Sequence, residues 1–334
     1  MSLTILRPGL LTTVQDLGRY GYQKDGILVS GAMDAVALRT ANLLVGNAED
    51  AAGLEITLLG PRIRFEADHL IALTGANLSP TIQGRPVGLN RPVGVGAGAE
   101  LAFGAPVAGS RAYLAVAGGL DVVLVLGSRS TYLRAGFGGL HGRALQAGDV
   151  LPVAAPTPAG QQLSQLIAKK RGAAAWVQAS WQANPQPYPP QTPQRVRAIC
   201  GPEYEQFTVS SHRAFWEQPF TVTPQADRMG YQLQGPALAR TTSAELLSSA
   251  VTFGTVQVPT GGQAIVLLAD HQTTGGYPRL AQVITADFSV LAQLRPGQMF
   301  QFEQVSLAEA QTLYLAQERR LHTLQCAIHS KLLA

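Results

Sequence analysis

The sequence is poor in charge and in cysteine, and it contains no long apolar run. Only 14% of its 334 residues are charged and 46% are hydrophobic. This composition is typical of a core-rich globular protein and excludes a disordered chain. No apolar run approaches the ~20 residues that span a bilayer, which argues against a membrane protein. The two cysteines form no close motif, and no cationic leader precedes an apolar stretch, so we expect a cytoplasmic protein with free thiols.

Several ligand-binding patterns are also missing. The sequence has no CxxC, HExxH or GxSxG pattern, so we expect no metal in this chain and no nucleophile elbow. The net charge of +4 is scattered and not clustered among aromatic residues, which argues against a nucleic-acid partner. Only four of the 25 basic residues are lysine. Arginine forks suit carboxylate or phosphate groups, but a compositional bias of the genome explains this excess equally well.

What the sequence does contain is a pattern of short strands. Apolar runs of four to seven residues alternate with Gly, Pro, Asn and Asp clusters, which predicts a mainly β fold of closed or nearly closed barrels with few helices. The motif "RYGYQ" (19–23) recurs as "RMGYQ" (228–232), and similar hairpin patterns follow both copies in the same order. We therefore predict two tandem domains of one design. The expected division is a first domain at 1–155, a Pro-rich linker at 156–194, and a second domain with a C-terminal helix at 195–334.

The densest cluster of functional groups is "DHQTTGGYP", which follows the apolar run "AIVLLA". Glycine amides and threonine hydroxyls are suitable donors to an oxyanion, and an Asp–His pair is suited to moving a proton. A loop that only satisfies its own turns is an equally weighted alternative. The predicted catalytic residues are Asp270, His271, Thr273, Thr274, Gly275, Gly276 and Tyr277.

A second glycine-rich stretch, "LRAGFGGLHGR", offers backbone amides between two arginines, Arg134 and Arg143. Such a loop suits an anion, and we include Gly138 and Gly139 among the candidate substrate-binding residues. It is not a dinucleotide fingerprint, because the third glycine position falls on His141, and it is not a Walker loop. A glycine-rich bulge or hairpin is the slightly favoured alternative.

Polar residues among glycines near the start of the chain form the third candidate. Asp16 and Arg19 pairing with each other, or Asp34 capping the following helix, would be structural alternatives. Related residues occur in the second copy of the repeat. The remaining candidate substrate-binding residues are Gln15, Asp16, Arg19, Asp34, Arg228 and Tyr231.

Taken together, these motifs carry a resemblance. The stretches "TTVQDLGRYGYQ", "SGAMD", "LEITLLGP", "GSRSTYLRAGFGGLHGRALQAGD", "DRMGYQLQG" and "DHQTTGGYP" occur in the order found in one family. The sequence resembles allophanate hydrolase subunit 2, a family with KipA, the C subunit of bacterial 5-oxoprolinase, and part of the carboxyltransferase region of urea carboxylase. Two positions depart from the family pattern: Val123 replaces a common proline, and Ser249–Ala250 replace a common acid and Pro or Gly.

The resemblance implies a fold and a set of partners. It implies two tandem cyclophilin-like β-barrel domains, a partner that resembles KipI or the B subunit of 5-oxoprolinase, and a third component. The reaction it favours is the ATP-dependent opening of a cyclic amide to glutamate by a 5-oxoprolinase, with ATP used through the complex and this chain inactive alone. One alternative is a carboxyltransferase component of a biotin-dependent urea or amide carboxylase, and biotin belongs only to that alternative. The other is a KipA-like regulatory binding protein.

Overall fold

Alternating apolar and polar side chains build the strands of the first half of the protein. In the first strand Leu3 and Ile5 are buried, whereas Thr4 between them is half-buried. Ile63 and Phe65 repeat this pattern in a later strand. Because side chains alternate between the two faces of a strand, each strand contributes one apolar row to the core. The computed structural model describes residues 1–184, 193–242 and 246–333.

The described residues form two compact units. The first comprises Met1–Arg19, Ser30–Gln186 and Arg320–Ala334, and the second comprises Tyr20–Val29 and Pro187–Arg319, each within the described ranges. This grouping departs from the predicted division of the chain. Residues 20–29 belong to the second unit, and residues 156–184 and the last part of the C-terminal helix belong to the first.

The first unit contains two six-stranded sheets. One has the order β11-β1-β4-β9-β6-β7 and the other β12-β8-β5-β10-β3-β2. A single core of buried side chains from both sheets lies between them, with Leu3 and Phe65 from one and Leu54 and Leu73 from the other. The strands are β1 Ser2–Arg7, β2 Leu11–Gln15, β3 Gly53–Thr57, β4 Arg62–Phe65, β5 His69–Asn77, β6 Thr81–Ile82, β7 Arg85–Pro86, β8 Pro92–Val95, β9 Glu100–Ala102, β10 Ala108–Val116, β11 Val150–Pro152 and β12 Trp176–Gln178.

Two helices belong to this unit, α1 (Ala35–Leu44) and α2 (Pro158–Arg171). The carboxylate of Asp34 accepts a hydrogen bond from the amide of Ala37 at 3.0 Å, so Asp34 caps α1 as the sequence indicated. Helix α2 lies where the sequence predicted a linker. Its buried positions Leu163 and Ile167 lie one turn apart and give it an apolar face.

The sequence predicted a linker here because the region is rich in proline, and its helical spacing was overlooked. Strand β12 also falls in that region and pairs with β8. Most of the Pro-rich stretch 184–193 lies outside the described residues.

The second unit is a closed barrel of seven strands with the order β13-β20-β17-β18-β15-β14-β21. Together with the two sheets of the first unit, this closed barrel confirms the predicted mainly β fold with few helices. A separate two-stranded ladder joins β16 to β19. The strands are β13 Gln194–Cys200, β14 Phe220–Val222, β15 Gly230–Gln234, β16 Ser249–Ala250, β17 Thr255–Gln257, β18 Ile265–Leu267, β19 Thr274–Gly275, β20 Arg279–Val283 and β21 Met299–Gln304.

The remaining helices are α3 (Val209–Glu217), α4 (Phe288–Gln293) and α5 (Leu307–Leu333). The amide of Glu309 donates to the hydroxyl of Ser306 at 3.2 Å, so Ser306 caps the start of α5. No helix within the described ranges is both long and apolar enough to cross a membrane.

The repeated motif adopts two different local structures. In the second copy, Gly230–Gln234 forms strand β15 of the barrel. In the first copy, residues 19–22 belong to no helix or strand, and Gln23 begins a single 3-10 turn, Gln23–Asp25. The likeness of the two motifs therefore lies in their sequence and not in their backbone conformation.

Candidate functional site

The loop that joins β18 to β20 carries the cluster "DHQTTGGYP". Within it, β19 pairs with β16, so that Thr274 lies opposite Ala250 and Gly275 lies opposite Ser249. The amide of Val251 extends this ladder by donating to the carbonyl of Thr273 at 3.2 Å. Ser249 and Ala250, one of the two departures from the family pattern, therefore lie directly against the predicted catalytic loop.

A buried ion pair fixes the start of this loop. Arg228 donates from Nε to one oxygen of Asp270 at 2.9 Å and from Nη2 to the other at 3.1 Å. Both side chains are about 95% buried. The amide of Asp270 also donates to the carbonyl of Arg228 at 2.8 Å. The sequence predicted Arg228 as a substrate-binding residue and Asp270 as a catalytic residue, and the structure joins the two to each other in a fork-shaped pair.

His271 is oriented by the backbone. Its Nδ1 lies 2.6 Å from the carbonyl oxygen of Gln272, so Nδ1 carries the proton and Nε2 keeps a lone pair. Burial lowers the pKa of His271 below its ordinary value of 6.5, against the smaller raising effects of that hydrogen bond and of Asp270. The imidazole is thus held neutral near pH 7, with Nε2 as its proton acceptor.

The two loop glycines have different surroundings. A Cβ on Gly275 would lie 2.6 Å from Nε2 of Gln257, whereas a Cβ on Gly276 would meet nothing closer than the Leu246 carbonyl at 3.3 Å. Gly275 also lies inside the ladder, opposite Ser249, while Gly276 follows it. Gly276 is therefore the better placed of the two to present its amide to a ligand.

Gln257 was missed in the sequence analysis. It is almost fully buried on β17, and its Nε2 lies 3.5 Å from the carbonyl oxygen of Tyr277. A polar amide within the apolar strand "TVQVP" was the available signal. The contact between Gln257 and Tyr277 connects the loop to strand β17 of the barrel through a side chain.

The other predicted residues of this unit differ in exposure. Thr274 and Tyr277 are exposed, and Thr273 is half-buried, so these side chains are accessible from solvent. Tyr231 is buried in the barrel, and its hydroxyl lies 3.4 Å from the carbonyl oxygen of Leu294. That position fits a core tyrosine with a satisfied hydroxyl better than a substrate contact.

In the first unit, the predicted residues converge on the segment 128–131. The carboxylate of Asp16 accepts hydrogen bonds from the hydroxyls of Ser128 and Ser130, at 2.6 and 2.5 Å, and from the amides of Arg129 and Gly18. All of these donors belong to the first unit, as Asp16 does. Asp16 therefore acts as a local cross-link, and the alternation of serines in "GSRST" was the signal for it.

Arg19 and the glycine loop pack on the same segment. The guanidinium of Arg19 donates to the carbonyl of Ser130 and lies 4.8 Å from the centre of the Phe137 ring. A Cβ on Gly138 would lie 2.1 Å from that carbonyl oxygen, and one on Gly139 would lie 1.9 Å from the hydroxyl of Thr131. The glycines are required because the loop presses against its own neighbours.

The last two predicted residues of this unit are also held by the protein. Gln15 is fully buried and donates to the hydroxyl of Thr13 and the carbonyl of Thr131, at 3.1 and 3.2 Å. The amide of Asp34 donates to the hydroxyl of Tyr113 at 2.7 Å.

Tyr113 in turn donates to the buried carboxylate of Glu55 at 2.8 Å. Burial, with the nearby Glu55 and Asp34 carboxylates, raises the pKa of Tyr113 well above its ordinary value. Sequence analysis missed Glu55 and Tyr113, because nothing in their own strands marks them as partners of the residues that precede α1.

One of the two arginines that flank the candidate anion site is engaged by a carboxylate. Arg143 makes a two-pronged ion pair with Asp149, at 2.7 and 2.8 Å. This pairing lowers the pKa of Asp149. Within the ranges that the structure describes, no group of three His, Cys, Asp or Glu side chains is arranged to hold a metal ion.

Comparison with known proteins decides the family. The model of the carboxyltransferase domain, subdomains A and B, matches residues 25–304. The chain belongs to this family. It is 44% identical to the C subunit of 5-oxoprolinase from Escherichia coli over 98% of this chain and 99% of that protein, and 40% identical to the protein of that name from Haemophilus influenzae over 92% and 95%.

A solved structure supports the same carboxyltransferase fold. The K. lactis urea amidolyase structure matches 97% of this chain with a TM-score of 0.82 and 30% sequence identity. This chain spans only 20% of that longer chain. Relatives of this carboxyltransferase domain therefore occur both as a separate protein and as part of a larger polypeptide.

Proposed function

We propose that this chain is the C subunit of a 5-oxoprolinase complex, which opens the cyclic amide of 5-oxoproline to glutamate at the expense of ATP. The observation that carries the proposal is the 44% identity to a 5-oxoprolinase C subunit over nearly the whole length of both chains. A match of that extent leaves no large segment of either protein without a counterpart. The urea amidolyase, by contrast, has four fifths of its length outside the match.

The loop at 270–277 is the proposed catalytic region. Thr273 and Thr274 offer hydroxyls, and Gly276 offers an amide beyond the β16–β19 ladder. These neutral donors would stabilise the negative charge that develops on the amide oxygen when the ring carbonyl is attacked. Tyr277, which is half exposed, would form an aromatic wall beside them.

His271 is the proposed proton acceptor. Its Nδ1 is held by the Gln272 carbonyl, which leaves the lone pair on Nε2 for a substrate or a water molecule. The ion pair of Arg228 with Asp270 anchors the residue next to this histidine. In this proposal the pair serves the geometry of the loop, and neither member needs to touch the substrate.

The glycine loop of the first unit does not fit the phosphates of ATP. Gly138 and Gly139 press against Ser130 and Thr131, and Arg143 is paired with Asp149. We therefore assign the binding of ATP to a partner protein, and in this proposal ATP does not contact the present chain. This chain would supply binding groups that are completed in the cytoplasm by two other proteins, one of them similar to KipI or to the 5-oxoprolinase B subunit.

Reconstitution tests this proposal. The chain is purified alone and with its two companion proteins, and glutamate release from 5-oxoproline is measured with and without ATP. We expect ATP-dependent release only from the complete complex. Release by the isolated chain would overturn the need for partners, and an inactive but fully assembled complex would overturn the proposed reaction.

A biotin-dependent carboxyltransferase is the second candidate, because the matching family model is that of a carboxyltransferase domain. The discriminating assay supplies urea, bicarbonate and ATP to the chain together with a biotin carboxylase and its carrier. Urea-dependent ATP consumption that avidin blocks would favour this reaction over the opening of 5-oxoproline.

A further inference from the structure

Arg279 directly follows the predicted catalytic loop and makes an unusually complete set of contacts. Its Nε and Nη2 donate to the two carboxylate oxygens of Glu203 at 2.9 and 2.7 Å, and its own amide donates to the same carboxylate at 2.9 Å. The pairing raises the pKa of Arg279 and lowers the pKa of Glu203. A planar fork on a carboxylate fixes orientation as well as distance.

The third nitrogen of this guanidinium reaches the ladder that carries the loop. Nη1 of Arg279 donates to the carbonyl of Ala250 at 3.1 Å. Ala250 lies opposite Thr274 in the ladder of β16 and β19, where each strand is two residues long. Two strands this short form few hydrogen bonds with each other. A contact from outside the ladder to its backbone therefore contributes a large share of what holds the ladder in place.

Two arginine forks therefore bracket the loop. Arg228 holds Asp270 at its start, and Arg279 holds Glu203 and Ala250 at its end. We propose that Arg279 is a positioning residue for the catalytic loop, acting through Ala250 on Thr274 and Gly275. The inference rests on the function proposed above, and it adds a residue that would set the position of the donors without touching the substrate.

The chemistry of the contact requires arginine. One planar group here serves the two oxygens of Glu203 and the carbonyl of Ala250 at once. A lysine would keep the positive charge, but it gathers its three donors on one nitrogen and cannot span the same set of acceptors. Arg279→Lys therefore distinguishes the effect of the positive charge from the effect of the hydrogen-bond geometry.

The same unit contains a matched control. Arg197 makes a fork to Asp287, and its amide donates to the same carboxylate at 2.7 Å, as in the Arg279 pair. The two arginines are similarly exposed, at 32% and 23%. Arg197 lies on β13 and binds the 3-10 turn Thr285–Asp287, away from the ladder.

The test compares Arg279→Lys with Arg197→Lys in the complete reconstituted complex. We expect Arg279→Lys to lower kcat by about 10-fold to 100-fold with a smaller change in KM, because displacement of catalytic groups by ~1 Å has effects of this size. Arg197→Lys should stay within about twofold of the parent while losing similar thermal stability. Equal losses of kcat in both variants would overturn the proposal.

Hydrogen exchange supplies a readout that does not depend on activity. The amide of Val251, which donates to the Thr273 carbonyl, should exchange faster in Arg279→Lys than in Arg197→Lys. If the lysine variant folds poorly, Glu203→Gln takes its place, because it keeps the size of the side chain. We expect it to show the same change in exchange, but more weakly. Unchanged exchange at Val251 in both Arg279→Lys and Glu203→Gln overturns the proposal, even if the parent complex proves to catalyse another reaction.

Discussion

The two glycine-containing loops of this protein look alike in sequence and differ in structure. In the first unit, Gly136, Gly138, Gly139 and Gly142 all have φ between +55° and +72°, and a Cβ on three of them would overlap a neighbour at about 2 Å. In the second unit, Gly275 and Gly276 are not in the left-handed region, and the nearest group to Gly275 is a side-chain amide. The glycines mark close packing against backbone in the first loop, whereas in the second loop Gly276 leaves its backbone less crowded.

The two related arginines show the same contrast. Arg19 is buried against the Phe137 ring and donates to a carbonyl of the segment on which its glycine loop packs. Arg228 forms a fork with Asp270, the first residue of the exposed loop. One arginine stabilises a packed interior, and the other anchors a loop whose tip is accessible to solvent.

Asp270→Asn gives the largest expected effect. It leaves a buried guanidinium without its carboxylate, and breaking such a pair costs about 3–5 kcal/mol. Denaturation in urea measures the loss of unfolding free energy. Glu217→Gln, in the exposed pair with Arg213, is the control and should leave stability unchanged. Parent-like stability combined with lost activity would mean that Asp270 acts on the substrate. The conclusion that Arg228 anchors the loop through Asp270 would then be wrong.

Gly138→Ala should come next, with a loss of roughly 2–5 kcal/mol. The left-handed φ of +72° contributes about 1–2 kcal/mol, and overlap with the Ser130 carbonyl contributes about 1–3 kcal/mol. Gly136→Ala has the same backbone problem but nothing within 4 Å, so it should lose only the first part. If Gly138→Ala is stable but inactive, the loop of the first unit is a ligand site after all.

Gly275→Ala should mainly affect catalysis. The new methyl group would displace Gln257 or the ladder, because the two atoms would be only 2.6 Å apart. We expect kcat in the complex to fall by about 100-fold with little change in the thermal midpoint. Gly276→Ala should have a smaller effect, since its closest contact is 3.3 Å. The reverse order of the two variants would mean that close approach of the ligand to Gly276, and not the position of the ladder, limits turnover.

The smallest expected effect is the pH dependence of stability that His271 gives to the second loop. The pKa of His271 is lowered by burial, so the folded protein binds this proton less readily than the unfolded chain does. Its contribution to stability is therefore present above pH 6.5 and is lost as pH falls through the lower folded pKa. The acid limb of kcat should also lie below pH 6.5 and flatten in His271→Gln. An acid limb that persists in that variant would assign it to another group.

Much of the fold could be predicted from the sequence because it depends on local pattern. Short apolar runs between turn residues gave the mainly β fold, and Asp34 marked the start of α1. Helix α2 was missed because proline dominated the composition of its region, although Leu163 and Ile167 carried the helical spacing. Sequence also located the loop at 270–277, since its functional groups are adjacent in the chain.

The sequence by itself determined the family, the mainly β fold and the two glycine-containing loops, because each depends on residues close together in the chain. Only the tertiary structure decided the role of each loop. Ser130 meets Arg19 across 111 residues, and Glu203 meets Arg279 across 76. Such pairings are set by strand register and barrel closure, which bring distant side chains together without leaving a mark in the sequence around either partner.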